Sequence, residues 1–119
     1  MNGIFIACIL VALTNPAIAE SGIKPRIRGL TYSLARKILV QRENTPVAVH
    51  ADRDRFCVGA EDVCEAYPET ENCAGTGERP CIFMWQTKSG RNFEVFTIGE
   101  ELTDMTVTGV EDISSPGRK

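Results

Sequence analysis

The residues of this sequence with the most chemical potential are four cysteines, Cys57, Cys64, Cys73 and Cys81, in the pattern C-x6-C-x8-C-x7-C. Thiols in that number can hold a metal, run redox exchange or close disulfides. Zinc ribbons and fingers use close Cys pairs, which are missing, and the only histidine, His50, is not spaced as a partner ligand. Thioredoxin-type exchange needs C-x-x-C, which is also missing. Structural bridges are therefore the expected use. Four cysteines allow three pairings, and spacing alone does not select one. Pairing Cys57 with Cys64 and Cys73 with Cys81 closes the two shortest loops, and Ala74 to Pro80 reads as a segment that folds back on itself. Each closure is worth about 2–3 kcal/mol if it acts by restricting the unfolded chain.

The remaining chemistry is sparse. A Ser-His-Asp or Cys-His centre would have to use His50, and the bridges leave no thiol to pair with it. Gly75-Thr76-Gly77 resembles part of a phosphate loop, but no Gly-Lys-Ser/Thr follows, so turn chemistry accounts for it. The carboxylates could supply a glycosidase pair. Acids clustered in a cysteine-rich loop are expected to be exposed, however, and a chain of this size with one sheet has little wall for a substrate cleft. The reading is a non-enzyme without cofactor or metal.

Charge is divided along the chain. Residues 20–55 hold eight Lys or Arg against four acids, whereas 56–119 hold five against twelve, within a net charge of -3. Such a balance does not suit a nucleic-acid binder, whose phosphate contacts need a dominant basic face. It suits a solvated surface, or an acidic face that steers a cationic partner. The candidate binding residues are Glu65, Glu69, Glu71 and Glu78, read as solvent-facing, together with Arg79. Glu78-Arg79-Pro80 inside a small ring has the form of a segment that could enter a basic-specific protease pocket.

The compartment follows from the first residues. Ile4 to Leu13 is a ten-residue apolar run followed by Thr14-Asn15-Pro16 and Ala17-Ile18-Ala19. This is the pattern of a signal peptide over 1–19, cleaved before Glu20, and the run falls short of the ~20 residues of a spanning helix. Cys8 lies inside the run and would leave with it. Residues 20–119 then form one domain, periplasmic or secreted, with no membrane insertion after cleavage. A composition of 43% apolar and 24% charged residues fits an ordinary globular domain.

The elements that must position these residues can be read from periodicity. Glu20 to Gly29 is expected to be an extended arm or a short edge strand. Leu30 to Arg42 reads as a helix with Thr31 as hydroxyl N-cap. Leu34, Ala35, Ile38 and Leu39 form its apolar face, and Arg36, Lys37 and Gln41 point to solvent. Asn44 is expected to take the left-handed turn after it, and Pro46 prevents continuation. Val47 to His50 suggests a short strand. Residues 51–81 show no period apart from a helical turn over Glu61 to Ala66, so bridges more than burial are expected to order them.

Ile82 to Thr87 and Arg91 to Ile98 form the clearest β signal, a hairpin. A two-residue Ser89-Gly90 turn would pair Trp85 with Glu94 and Lys88 with Arg91. A three-residue loop with Gly90 left-handed pairs Trp85 with Phe93 and Phe83 with Val95, which makes one apolar face and is the expected register. A further strand over Met105 to Glu111 follows the acidic Gly99 to Asp104 turn. The fold class is α+β: one amphipathic helix on a three- to four-stranded antiparallel sheet, with a disulfide-stapled loop region.

Gly29-Leu30-Thr31-Tyr32, Ala35-Arg36, Pro46-Val47, Cys73-Ala74-Gly75-Thr76-Gly77, Pro80-Cys81, Phe83, Trp85, Gly90, Phe93, Val95, Thr97 and Gly99-Glu100 together resemble small uncharacterised exported cysteine-containing proteins of Gram-negative bacteria. The resemblance implies a bacterial source and a periplasmic address and transfers no activity. The functional expectation is a small binding protein acting through disulfide-rigidified acidic loops on another envelope or host protein, a cationic one if the acidic face steers it. The alternatives are an inhibitor of a lysozyme or protease, and an envelope structural or assembly protein.

Overall fold

A computed structural model describes residues 26–49 and 57–113. The segment read as a signal peptide, most of the basic arm, His50 and the chain end lie outside the described residues. The fold is α+β, with one main helix against a five-stranded antiparallel sheet and two disulfides in the loop region. In chain order the elements are α1 (Tyr32–Gln41), β1 (Thr45–Pro46), α2 (Glu61–Ala66), β2 (Thr70–Cys73), β3 (Cys81–Gln86), β4 (Asn92–Ile98), a 3-10 turn (Leu102–Asp104) and β5 (Thr106–Asp112). Strand β3 is central, with β4 and then β5 on one side. Its other side is shared: β1 pairs with Trp85 and Gln86, and β2 with Cys81 to Phe83.

The hairpin has the register that side-chain matching requires, Trp85 opposite Phe93 and Phe83 opposite Val95. Lys88-Ser89-Gly90 is its loop: the Gly90 amide donates to Thr87 O at 2.9 Å and the Thr87 amide to Arg91 O at 2.7 Å. Gly90 has φ +93°, where a side chain is disfavoured and glycine is not. Alternation then places Cys81, Phe83 and Trp85 in the core and Ile82, Met84 and Gln86 on the half-buried reverse face. Ala35 and Leu39 of α1 meet the core face, joined by Val95, Val107, Met105 and Val63.

Several expectations are corrected. Ile27, placed in an extended arm by sequence, is fully buried, and its carbonyl accepts from the Leu30 amide in a turn. Thr31 occupies the N-cap position without a side-chain cap; the Tyr32 amide donates instead to Met105 O at 2.8 Å, so the backbone just before β5 satisfies the first amide of the helix. Tyr32 joins Ala35 and Leu39 on the buried face, while Leu34 is 46% exposed. The left-handed residue after α1 is Glu43, φ 68°, and Asn44 uses both its backbone amide and its side-chain amide on Leu39 O. The strand expected over 47–50 lies earlier, at Thr45–Pro46.

The helical turn at Glu61–Ala66 is present, but the 51–81 region is not held by bridges alone. Ala60, Val63 and Thr70 are buried, and β2 extends the sheet to five strands. Its four residues, Thr-Glu-Asn-Cys, carry little apolar signal, and a register shift between Thr70 and Asn72 breaks their alternation.

Candidate functional site

Both short rings close as bridges, Cys57–Cys64 and Cys73–Cys81. The second joins residues paired across β2 and β3. The rings also pack on each other, glycine to glycine. A Cβ at Gly75 would lie 2.5 Å from Val58 O, and one at Gly59 would lie 2.9 Å from the Gly75 Cα. In the Cys-Ala-Gly-Thr-Gly segment Gly75 thus packs between the loops, whereas Gly77, with φ +66° and open space around it, serves the turn.

The candidate binding residues separate into different environments. Glu65 is exposed on α2, Glu71 is half-buried on β2, and Glu78 is exposed in the second ring. Glu69 is 0% exposed, which overturns its reading as a solvent-facing acid. Arg79 does not extend as a bait for a protease: its guanidinium lies along Asp62, with Nη1–Oδ1 at 3.0 Å and Nη2–Oδ2 at 3.2 Å, and its side chain is 11% exposed. The four acids and Arg79 therefore do not form one patch.

Glu69 is instead the centre of an interior network. Its carboxylate accepts from Tyr32 Oη at 2.7 Å, Arg36 Nε at 2.6 Å and Arg36 Nη2 at 3.1 Å. Trp85 Nε1 donates to Tyr32 Oη at 3.0 Å. Residues 32 and 36 share a helix face through their i, i+4 spacing, and β3 supplies the indole. The Tyr32 ring stacks on Phe83 at 3.9 Å, and Tyr67 meets it edge-on at 4.9 Å. Burial first, then the Glu69 charge and hydrogen bond, push the Tyr32 phenol far above its ordinary range, so it remains a donor. The hydrogen bond to Glu69 raises the Arg36 guanidinium further. Arg36, expected to face solvent, is thus bound through Nε and Nη2 to a buried acid while its side chain stays 32% exposed.

Two surface depressions are lined by described residues. One, of about 450 Å³, is lined by Ser33, Arg36, Lys37, Val40, Gln41 and Tyr67. The other, of about 540 Å³, is lined by Glu78, Ile98, Gly99, Glu100, Asp104 and Thr106. Three acidic residues from two segments line it, Glu78 from the second ring and Glu100 and Asp104 from the turn after β4, and the Gly99 amide ties the walls together by donating to Glu78 O at 2.7 Å. Sequence reasoning placed Glu78 but missed Glu100 and Asp104, which it read only as part of an acidic turn. Their signal was the density of acids between Gly99 and Asp104; what it lacked was that this turn folds beside the second ring.

No protein-family model matches the sequence, and neither the curated proteins nor the solved structures hold a match to it. Among the described residues no group of three or more His, Cys, Asp or Glu could hold a metal ion, and no helix is long and apolar enough to cross a membrane.

Proposed function

We propose that this is an exported binding protein that engages a cationic protein through the acidic depression of Glu78, Glu100 and Asp104. The observation that supports it most is that these three acidic residues line one depression, with Glu78 contributed by a disulfide-closed ring. Residues 57–113 carry twelve Asp or Glu against three Lys or Arg, so the field around the depression attracts positive charge at long range. A braced loop loses little freedom on binding, which leaves more of the contact energy as affinity. The two disulfides suit an oxidising compartment such as the periplasm or the exterior. The acid surface favours a lysozyme over a protease as an inhibited target, because Arg79 is folded onto Asp62.

The test is binding to lysozyme, as a cationic probe, at low and high salt, with its activity measured in parallel. Association should slow by about tenfold or more as salt rises. Reversing Glu78, Glu100 and Asp104 to Lys should weaken binding without moving the unfolding midpoint, since exposed charges contribute little to stability. Inhibition of activity would select the inhibitor form of the reading. Binding that ignores both salt and the triple reversal would remove the acidic depression from the mechanism.

A further inference from the structure

We infer that the depression between α1 and Tyr67 is a binding site for a small organic oxyanion, a carboxylate or phosphate head on an apolar ring or short chain. It is separate from the acidic depression and independent of the function proposed for it.

The inference begins with the cost of burying Glu69. Taking a carboxylate and part of a guanidinium out of water is expensive, and a buried ion pair is often no more stabilising than apolar residues of the same volume. Here the pair holds Arg36 in one orientation. The Nε and Nη2 donors are spent on Glu69 at 2.6 and 3.1 Å. A guanidinium has five N–H donors, so three on the Nη1/Nη2 edge are not used by Glu69, enough for a second bidentate contact with a planar oxyanion. The side chain is 32% exposed, and Arg36 lines a depression of about 450 Å³, within the usual size of a small-molecule site.

The other lining residues complete an anion site. Ser33, Lys37, Val40 and Gln41 lie on the same face of α1 as Arg36, bringing a hydroxyl, an ammonium and an amide to one cavity. Among the described residues no carboxylate lines it, in a molecule where acids outnumber bases. Tyr67 closes the far wall. Its ring lies 5.4 Å from the Arg36 guanidinium carbon and edge-on to Tyr32, so the aromatic surface is fixed. Val40 is 51% exposed beside it and gives an apolar ligand body a surface to cover. The arrangement selects for charge at one end and for apolar area at the other.

The experiment is an NMR titration of the oxidised protein with benzoate, phenyl phosphate and benzyl alcohol as probes. The two anions should shift signals of Ser33, Arg36, Lys37, Val40, Gln41 and Tyr67 and bind with Kd on the order of 1 mM, as ligands of this size do. The stronger of the two identifies the preferred head group. Benzyl alcohol, which has the ring without the charge, should leave those signals in place. Arg36→Gln would strand Glu69 and is a poor probe, so the decisive variants are Val40→Glu, which puts a carboxylate into the site, and Lys37→Gln. Both change exposed side chains and should keep the unfolding midpoint. The first should weaken anion binding by about tenfold or more and the second by about threefold. Equal binding of the alcohol, shifts confined to other residues, or indifference to Val40→Glu would overturn the inference. Binding to phosphatidylglycerol vesicles without binding of either soluble anion would also overturn it, in favour of a membrane-surface contact.

Discussion

Tyr32 carries three relations at once: it stacks on Phe83, accepts from Trp85 Nε1 and donates to Glu69. Removing the hydroxyl in Tyr32→Phe keeps the stack but leaves the indole N–H and one carboxylate oxygen short of a partner. The expected cost is about 1–3 kcal/mol, measured by urea unfolding followed through Trp85 fluorescence. The same hydroxyl predicts a pH dependence. The folded phenol stays protonated where an unfolded tyrosine ionises, so above pH ~10 the unfolded chain binds fewer protons than the native one. Stability should be level with respect to this group below pH ~10 and fall above it, by up to about 1.4 kcal/mol per pH unit for one tyrosine. Tyr67, raised by partial burial, acts in the same direction more weakly. In Tyr32→Phe the alkaline slope should flatten, and an unchanged slope would show that Tyr32 does not set it.

At the scale of elements, the two stapled rings behave as one unit because their backbones touch. Gly75 and Gly77 are both near the tip of the second ring, but they need glycine for different reasons. Gly75 lacks room: a Cβ would meet Val58 O at 2.5 Å and the Gly59 Cα at 3.2 Å, and backbone cannot swing aside as a side chain can. Gly77 has open space around it but φ +66°. Gly77→Ala should therefore cost only the left-handed conformation, about 1 kcal/mol. Gly75→Ala should cost about 1–3 kcal/mol and separate the rings, seen as amide shifts at Val58 and Gly59. Equal effects from the two substitutions would mean that the rings do not bear on each other. The hairpin needs no such packing argument: its register was legible because only one pairing puts Phe83, Trp85, Phe93 and Val95 on a common face.

At the scale of the molecule, one main helix covers one face of a sheet whose central strand divides an edge between β1 and β2. A domain of this size has a modest core, and its bridges should contribute a large share of its margin. Each ring closes a separation of seven or eight residues, for which restriction of the unfolded chain gives about 2.5 kcal/mol. Native protein from an oxidising compartment should show no free thiol by Ellman assay. Reduction should lower the urea midpoint by an amount that replacing the two pairs with Ala reproduces within experimental error. Two titratable thiols in the unreduced native protein would contradict the framework.

Sequence by itself determined the elements with strong local signals: α1 from its apolar period, the β3–β4 hairpin from matched aromatic and aliphatic positions, and β5 from the run after an acidic turn. It also favoured the disulfide pairing, since loop closure is cheapest over short separations and that preference needs no tertiary information. Burial of polar residues was decided only in three dimensions. Nothing in Tyr-Pro-Glu-Thr distinguishes Glu69 from an exposed acid such as Glu65. Its side chain points inward because β2 pairs with Cys81 to Phe83, and Arg36 and Tyr32, more than thirty residues earlier, arrive there on the helix. The two depressions have the same origin. Glu78 meets Glu100 and Asp104, and Arg36 meets Tyr67, through contacts between segments distant in sequence, and such contacts leave no periodic trace in either segment.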